Sequence, residues 1–496
     1  MAVKVDTQKE IIFGSSDPNI SRVISKKKKD GELRKLAPRI YTTNLIDSPA
    51  NIVRRNLIEI LAYRYPNALI SHRSAKEMRP TSTGDFFLTN STTRRVTDLP
   101  GIILNFVKGP KATAHDIPFM GMHISGEHRY MLENMQLSRK SGDESRVLPI
   151  SVIENKLEQL LLTGGEERLN QYRDELREVA NELGMADEFS KITNIISAFL
   201  STHDARVLST DSAKARASGN PFDANRVGLF EILFDTIKDR YFVIRNNRNT
   251  DEDSFRLFSF FESYFSNYIE GTEFDIEEAK EIVDSGIPMP RRDEDSHDIL
   301  GTFKILSNRT EMRRVPTSPE ELFAILSHRH TILLEGRPHM NPGVFKMRNN
   351  RAGQTEFVDY QLVKGTLSQG FKYYSALTDP FARAIFMMFM ISEVHPFNDG
   401  NGRIARVMMN AEFVRADQSR IIVPTVFRED YILALRKLTR HKDPMAYINV
   451  MTKLHQFSDN LYGTDFTELK NYLAACNAYE EPSQAKLQII DRSIRH

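Results

Sequence analysis

The chain has 496 residues, 40% hydrophobic and 27% charged, and this length and composition predict a globular protein of two to four domains. No long apolar stretch predicts a membrane span, and the charged N-terminus, MAVKVDTQKE, lacks the apolar segment of a secretory signal. Because Cys476 is the single cysteine, an internal disulfide and a cysteine-cluster metal site are excluded, and we expect a cytoplasmic protein.

The first 150 residues are basic, with 24 lysines and arginines against 15 acidic residues. Their pattern predicts a short helix over Asn19–Asp30, a β-ribbon over GELRKLAPRIYTTNLID, a helix over Ala50–Tyr65 and then strand-rich segments. Short helices with a two-stranded wing predict an α+β winged-helix-type domain over residues 1–150. The positive charge predicts an anionic partner such as DNA, and a solvated basic surface is the alternative.

Two segments of this region, ISKKKKDGELRKLAPRIYTT and ALISHRSA, resemble the winged-helix domain of the type IV (abortive-infection) antitoxin family. The resemblance implies a winged helix, and it leaves open whether that helix binds DNA or docks a protein.

The next part of the chain, residues 151–253, predicts a helical connector. From Ser254 an aromatic stripe at three- and four-residue steps, Phe258 to Tyr268, predicts a helix that faces a core. The polar segment SGIPMPRRDEDSHD that follows predicts an exposed excursion. Downstream, Ser318 and Glu321 predict a capping box at the start of a helix, and RAGQTEFVDYQLVKGTL predicts a β-hairpin with an exposed edge.

The segment HPFNDGNGRIAR, residues 395–406, gathers groups with distinct chemistry. It follows an apolar stretch, Phe381–Val394, that predicts a buried central helix ended by Pro396. The turn NDGNG leads into a second helix, whose N-terminus has free N–H groups that favour a phosphate. Arg403 and Arg406 lie three residues apart on this helix and match phosphate oxygens.

Two further groups complete the chemistry of this segment. Asp399 lies in the turn and suits Mg²⁺, which binds one or two carboxylates together with substrate phosphates. His395 is the group that can accept a proton near neutral pH. The pattern therefore predicts phosphoryl or nucleotidyl transfer. The alternative is a loop whose arginines only cap neighbouring groups.

The segment resembles the Fic family signature, HPFx[DE]GNGRxxR, at every fixed position, and the wider resemblance covers roughly residues 254–460. Fic proteins are helical with a short β-hairpin flap, and most transfer AMP from ATP to a hydroxyl side chain of a protein. The resemblance therefore implies a mainly α fold, in which a helical Fic core with a β-hairpin flap follows the α+β N-terminal domain. Together with the patterns described above, we expect domains at 1–150, 151–253 and 254–460, and a C-terminal tail at 461–496.

Roles for the signature residues are also implied by the resemblance. His395 would deprotonate a Ser, Thr or Tyr hydroxyl that attacks the α-phosphate of ATP, and Asp399 would hold Mg²⁺. The other implied roles are an anchor in the core for Phe397, an anion hole for Gly400, Asn401 and Gly402, and phosphate binding for Arg403 and Arg406.

The hairpin is similar to the family's flap, where a target is held extended by strand addition. The residues expected to dock the target are Thr355, Glu356, Phe357 and Val358. An ordinary exposed hairpin is the alternative. Further along, RHKDPMAYINV resembles the helix that closes the adenine pocket, but Arg440 and His441 replace the usual small or amide residues, so the donor base stays open.

The segment SNYIEG fits the regulatory motif [ST]xxxE[GN] of Fic proteins, in which the glutamate pairs with the second signature arginine. It would place Ser266, Glu270 and Gly271 in an inhibitory helix opposite Arg406. TILLEG, which contains Glu335, fits the same motif. We favour Glu270 because its surroundings resemble the whole inhibitory segment, as in the second class of Fic proteins, where the inhibitory helix precedes the signature.

The sequence thus predicts a self-inhibited protein adenylyltransferase that uses Mg²⁺ and ATP and modifies a target protein or itself. The alternatives are a nucleotide-sensing, DNA-binding regulator, and a Fic enzyme that uses another nucleotide donor or removes AMP. We expect no membrane partner, and a homodimer is left open.

Overall fold

The structure is a computed structural model that describes residues 9–200, 207–290, 292–353 and 355–492. The chain divides into two compact units, residues 1–218 and 219–496. The domain boundaries expected after residues 150, 253 and 460 stay predictions. The first eight residues of the stretch that predicts no secretory signal, and the last four of the predicted tail, lie outside the described residues.

The first unit begins with a small antiparallel sheet of order β1-β3-β2, formed by β1 (Ile11–Phe13), β2 (Arg34–Ala37) and β3 (Ile40–Thr42). Strands β2 and β3 are the predicted ribbon. Between β1 and β2 lies helix α1 (Pro18–Lys29), which is capped by the Asp17 side chain and ends in four lysines. Ile24 is the buried residue of α1, so most of this lysine-rich helix faces solvent.

The helix predicted over Ala50–Tyr65 is two helices, α2 (Pro49–Arg55) and α3 (Leu57–Arg64), separated at Asn56. The Asn56 side-chain amide donates to the Ile52 carbonyl at 2.9 Å and to the Glu10 carboxylate at 2.7 Å. Asparagine side chains compete in this way with the backbone bonds of a helix, which accounts for the break.

A six-stranded mixed sheet of order β6-β7-β5-β4-β9-β8 completes the strand-rich part. Its strands are β4 (Leu69–Ile70), β5 (Asp85–Asn90), β6 (Arg94–Leu99), β7 (Ile102–Lys108), β8 (Ile117–Phe119) and β9 (Met122–Ile124). Helix α4 (His72–Glu77) lies between β4 and β5 in sequence, and helix α5 (Glu127–Glu133) follows β9. The predicted α+β character of the N-terminal region is therefore confirmed.

Three more helices belong to the first unit: α6 (Ile150–Leu183), which is kinked at Gly165, α7 (Ala186–Phe199) and α8 (Asp211–Ala217). Their apolar side chains form one cluster with residues of α5, including Tyr130 and Met131. The first helices of the expected connector thus pack as part of this unit.

The second unit is helical. Its helices are α9 (Ala224–Ile237), α10 (Glu252–Ile269), α11 (Ile276–Ser285), α12 (Asp293–Leu306), α13 (Arg309–Met312), α14 (Pro319–Leu333), α15 (Val363–Ala376), α16 (Pro380–Val394), α17 (Asn401–Arg415), α18 (Arg428–His441), α19 (Pro444–Ser458) and α20 (Phe466–Ala475). Almost every residue of α16 is buried, as its apolar sequence predicts, and α17 packs against it. The predicted mainly α fold is confirmed.

Three local predictions differ from the structure. The hairpin is short, with β10 (Arg351–Ala352) paired to β11 (Thr355–Glu356), because the segment after it begins α15. Ser318 caps α14, but the Glu321 carboxylate accepts bonds from Thr317 rather than closing the capping box. The segment expected to be an exposed excursion contains the first turns of α12, where Ser296 and Asp298 are buried.

In the described part of the chain, no helix combines the length and the apolar character that a membrane crossing requires.

Candidate active site

A cleft of about 400 Å³ opens beside the loop that joins α16 to α17. It is bounded by the end of α10, by the β10–β11 hairpin and by one side of α18. The lining includes most of the predicted site residues, namely Glu270, Thr355, Phe357, His395, Asp399, Gly400, Asn401, Gly402 and Arg406.

The loop between the two helices is shaped by residues with left-handed backbone conformations. His395 ends α16 with φ of 51°, and Gly400 precedes α17 with φ of 70°. Asn401 closes the turn with its side chain, which accepts from the Phe397 N–H and donates to the Phe397 carbonyl, both at 2.9 Å. The first N–H groups of α17 are therefore presented to the cleft at a fixed place.

Phe397 anchors the loop in the core, as predicted. It is fully buried and its ring stacks on the His330 ring at 3.7 Å. The Gly343 N–H donates to His330 Nδ1 at 2.8 Å, so Nε2 carries the proton and donates to the Asp399 carbonyl at 3.0 Å. His330 therefore supports the turn through its contacts with Phe397 and the Asp399 carbonyl, a role that no sequence motif indicated.

Lys346 holds the other side of the loop. Its N–H donates to the Pro396 carbonyl at 2.8 Å, and its buried ammonium donates to Asn350 Oδ1 at 2.7 Å. The Asn350 amide in turn donates to the Phe397 carbonyl at 2.9 Å. Burial lowers the pKa of Lys346 to about 8.

The His395 imidazole has a defined protonation pattern. Its Nδ1 lies 2.9 Å from the Ser392 carbonyl, which can only accept, so Nδ1 carries the proton and Nε2 keeps a lone pair. The ring stacks face to face on Phe357 of the hairpin at 3.5 Å. Burial lowers the pKa of His395 to about 4, so the neutral form with a basic Nε2 prevails at physiological pH.

Arg406 is bound on several sides. Its guanidinium donates to Glu270 Oε1 at 2.7 Å, to the Ser266 carbonyl at 2.8 Å and to the Ser266 hydroxyl at 3.0 Å. The Arg406 side chain is only 6% exposed, while that of Glu270 is 34% exposed toward the cleft. Burial tends to raise the pKa of the Glu270 carboxyl, but Arg406 outweighs burial and the net shift is downward, so the pair is ionised.

The Glu270 carboxylate also lies against the start of α17. A Cβ atom added to Gly402 would come within 2.2 Å of Glu270 Oε1, so the glycine makes room for this oxygen. An anion at a helix N-terminus is favoured by the helix dipole and the free N–H groups. Glu270 thus occupies the place where the sequence predicts a phosphate. Gly271 follows with φ of 95° and turns the chain away from the cleft.

Glu335, the other glutamate that fits the regulatory motif, lies elsewhere. Its carboxylate pairs with Lys304 at 3.2 Å, its side chain is 67% exposed, and it does not line the cleft. The structure therefore brings Glu270, and not Glu335, to Arg406.

Arg403 has a different partner. It pairs with Asp298 at 2.7 Å, and Arg337 donates to both carboxylate oxygens of Asp298 at 2.8 and 3.1 Å. No sequence pattern indicated Asp298, because it lies in a polar stretch that predicted an exposed excursion. Arg403 does not line the cleft, and Asp298 and Arg403 are both almost fully buried.

Asp399 is the candidate metal ligand. Its side chain is 38% exposed in the cleft, with Arg403 Nη2 at 3.5 Å. Among the described residues no group of three or more His, Cys, Asp or Glu side chains could hold a metal ion. A single carboxylate beside a phosphate site suits Mg²⁺, which takes its remaining ligands from phosphates and water.

The hairpin is tied to the helices around it. Arg440 of α18 donates to the Thr355 hydroxyl at 3.0 Å, and Arg226 of α9 donates to the Glu356 carbonyl at 2.5 Å. Arg226 also pairs with Glu393 at 2.6 Å. Val358, predicted to dock a target, is fully buried and anchors the end of the hairpin instead of facing the cleft.

Buried histidines give the stability of this unit a pH dependence. Burial lowers the pKa of both His395 and His455 from 6.5 to about 4. Between pH 6.5 and 4 each of these two histidines therefore binds a proton in the unfolded chain but not in the folded one. We expect each histidine to lower the free energy of unfolding by up to about 1.4 kcal/mol per pH unit as pH falls through this window, and its contribution to be retained above it.

Urea unfolding at pH 7, 6 and 5 measures this slope. Replacing His455, which lies outside the cleft, by Gln removes one titrating group, so the slope of the variant should be smaller by one proton. An identical slope in the variant would contradict the assignment.

Comparisons with known proteins agree with the signature. Residues 318–412 match the model of the Fic/DOC family. A protein adenylyltransferase fic-1 of Caenorhabditis elegans is 30% identical over 115 residues, which cover 23% of this chain and 22% of that protein. A protein adenylyltransferase Fic of Nematostella vectensis is 24% identical over 214 residues, which cover 40% of this chain and 47% of that protein. The chain thus matches less than half of the length of these relatives.

Among solved structures, residues 134–508 of Fic-1 from C. elegans align with 66% of this chain and 94% of that chain, at 16% identity and a TM-score of 0.36. The segment that contains Glu270 lies outside the residues that the family model matches, and the loop from His395 to Arg406 lies inside them.

Proposed function

We propose that this chain is a self-inhibited protein adenylyltransferase, which transfers AMP from ATP to a Ser, Thr or Tyr hydroxyl of a target protein or of itself. The observation that carries the proposal is one cleft where a neutral His395, the N-terminus of α17 and Arg406 converge. The names of the relatives support adenylyl transfer as the family's activity.

In this mechanism the chain supplies a base and an anion site. The target hydroxyl approaches His395 Nε2, its oxygen attacks the α-phosphorus of ATP, and its proton passes to Nε2. The bond between the α-phosphorus and the bridging oxygen breaks, and pyrophosphate leaves. The N–H groups of α17 and the Arg406 guanidinium hold the phosphates in line. Asp399 would hold Mg²⁺, which neutralises phosphate charge when bound.

The position of Glu270 supports the proposal of self-inhibition. Its carboxylate contacts both Gly402 and Arg406, so it occupies the anion site and neutralises the guanidinium. A triphosphate that enters the cleft meets a negative charge where its own terminal phosphate would bind. We therefore propose that ATP binds unproductively until Glu270 leaves Arg406.

The short hairpin is the proposed docking edge for the target. An extended segment that pairs with β11 would place a hydroxyl beside His395, through main-chain bonds that demand little sequence. Thr355 and Phe357 line the cleft and would contact the modified residue, whereas the buried Val358 holds the strand in place.

The second candidate function is a nucleotide-sensing regulator that binds DNA, and the lysine-rich α1 favours it. Lys26 to Lys29 form the last turn of this helix, and Lys26, Lys28 and Lys29 are exposed. A Fic enzyme that uses another donor, or that removes AMP with Glu270 positioning water, is the further alternative. Cytoplasmic location and a homodimer stay predictions.

We expect His395→Ala to abolish AMP transfer while ATP and Mg²⁺ still bind. The loss of a general base costs about 10²–10⁴ in rate, and the imidazole does not take part in the anion site. Single-turnover labelling with radioactive ATP and a nucleotide-binding titration on the same protein measure the two effects. A variant that keeps most of its transfer activity would remove His395 from the mechanism.

We expect Asp399→Ala to weaken nucleotide binding that depends on Mg²⁺, with partial recovery at high Mg²⁺. Binding that is the same with Mg²⁺ and with EDTA would contradict the metal role.

We expect Glu270→Gly to raise AMP transfer by one to several decades. The change frees Arg406 and removes a carboxylate from the anion site, and close charge pairs are coupled by about 1.5–7 kcal/mol. The gain is measured by labelling with radioactive ATP and by the mass of the self-modified chain. Arg406→Ala should be inactive alone and in combination with Glu270→Gly, because relief acts through this arginine.

Glu335→Gly is the matched control for Glu270→Gly, since it removes the other glutamate that fits the regulatory motif, and this glutamate does not line the cleft. It should leave transfer unchanged. Activation by Glu335→Gly without activation by Glu270→Gly would show that Glu335, and not Glu270, is the inhibitory residue. No activation by either variant would show that neither glutamate inhibits transfer.

We expect the full chain to bind duplex DNA with an affinity that falls steeply between 50 and 200 mM salt, since each phosphate contact releases a counterion. Replacing Lys26, Lys28 and Lys29 together by Gln should weaken binding and flatten the salt dependence. Band-shift titrations at two salt concentrations measure both. No binding at low salt would favour a protein-docking role for the N-terminal region.

A further inference from the structure

Three arginines of α18, Arg428, Arg436 and Arg440, line the cleft at increasing distance from the start of the helix. Arg436 and Arg440 lie 8 and 12 residues after Arg428, or about 12 and 18 Å along the helix axis. In the described parts of the chain none of the three has a carboxylate within 4.0 Å, whereas Arg403 and Arg406 are both ion-paired. Three unpaired cations on one wall are therefore available to a ligand.

The hydrogen-bonding capacity of these arginines is largely unused. Among the described residues, the buried Nε atom of Arg428 has no hydrogen-bond partner. Arg440 donates from Nη2 to the Thr355 hydroxyl, a bond that leaves its other N–H groups for a ligand. Arg436 lies between them on an exposed part of the helix that borders the cleft.

The side-chain acceptors beside these arginines each already accept a hydrogen bond from a neighbouring residue. Thr439 donates its hydroxyl to Glu393, and the other carboxylate oxygen of Glu393 binds Arg226. The Thr355 hydroxyl accepts from Arg440. The groups without a charged partner at this end of the cleft are therefore the guanidinium donors, while Ile432 and Leu435 supply an apolar surface on which a flat ring can lie.

The phosphate end of the cleft lies at Gly402 and Arg406, so the far end of α18 is where the base of a bound nucleotide would lie. Adenine presents one acceptor, N7, and one donor, the N6 amino group, on its exposed edge, whereas guanine presents two acceptors, N7 and O6. A guanidinium has only donors, and its fork matches two acceptors side by side. An adenine amino group would face donors here.

We propose that the cleft accepts guanine nucleotides as donors, with Arg436 and Arg440 reading O6 and N7 of the base. This inference rests on the proposed nucleotidyl transfer and concerns the donor of the same reaction. With GTP, the target oxygen attacks the α-phosphorus, its proton passes to His395, pyrophosphate leaves and GMP remains on the protein. Arg436 and Arg440 are thus residues that set base specificity.

The test uses the full chain with Glu270→Gly, in which the anion site is free, and Mg²⁺. Displacement of a fluorescent nucleotide gives the affinities for GTP, ITP and ATP. ITP has the O6 and N7 acceptors of guanine without its 2-amino group. We expect GTP and ITP to bind at least as tightly as ATP, and intact-mass analysis to show GMP added to the chain after incubation with GTP.

Replacing Arg436 and Arg440 together by Gln should weaken GTP and ITP about tenfold relative to ATP, which corresponds to about 1.4 kcal/mol. Lys437→Gln is the matched control, because Lys437 is an exposed cation on the same helix that does not line the cleft. It should leave the ratio of GTP to ATP affinity unchanged. A thermal melt of each variant checks that it is folded.

The outcomes separate the inference from the function on which it rests. ATP binding more tightly than GTP, or an equal loss of all three nucleotides in the double variant, overturns the guanine preference and leaves adenylyl transfer standing. Failure of every triphosphate to bind the Glu270→Gly chain overturns both.

Discussion

The contact on which the cleft depends is the ion pair of Arg406 and Glu270 at the N-terminus of α17. A buried guanidinium without a counter-charge costs several kcal/mol, so Arg406 must be faced by an anion in any state of the cleft. Here the anion is a carboxylate of the same chain, and Gly402 leaves the space for it. A phosphate in the place of Glu270 would satisfy the same guanidinium and the same N–H groups. In the proposed mechanism the two anions therefore compete for one place.

The two arginines of the segment GRIAR, Arg403 and Arg406, have different ion-pair partners, although their spacing in the sequence predicts the same role for both. Arg403 is paired with Asp298, which Arg337 also binds, and both members of the pair are almost completely buried. Such a network is costly to open, because each member would leave an unpaired charge in the interior. Arg406 pairs with a glutamate that is one-third exposed. Arg403 therefore has a structural role beside the cleft, and Arg406 is the arginine whose anionic partner could be exchanged.

The loop was predictable because its constraints are local. Glycines in the turn, a proline after the buried helix and an asparagine that binds its own loop all lie within seven residues, and the sequence spacing alone indicates the helix N-terminus that they form. Asp298 and His330 were not predictable in this way. Asp298 lies 105 residues before its partner Arg403, and His330 lies 69 residues before Asp399, whose carbonyl it binds. Periodicity in a sequence indicates only local structure, so it cannot predict contacts between residues this far apart. The break at Asn56 was missed for a similar reason, since part of its cause is Glu10.

The hairpin adds a second constraint, and it acts on the acceptor side of the cleft rather than on the donor side. Phe357 covers the face of His395, and Arg226 and Arg440 bind the two residues of β11 from opposite helices. In the proposed docking mode, a target strand that pairs with β11 would fit against a His395 ring already held in place by Ser392 and Phe357, so the hairpin would position the strand whatever its sequence. Arg440 binds Thr355 of the hairpin and also lines the part of the cleft where we propose that the donor base lies. Under both proposals, this guanidinium would couple the position of the target strand to the base of the donor.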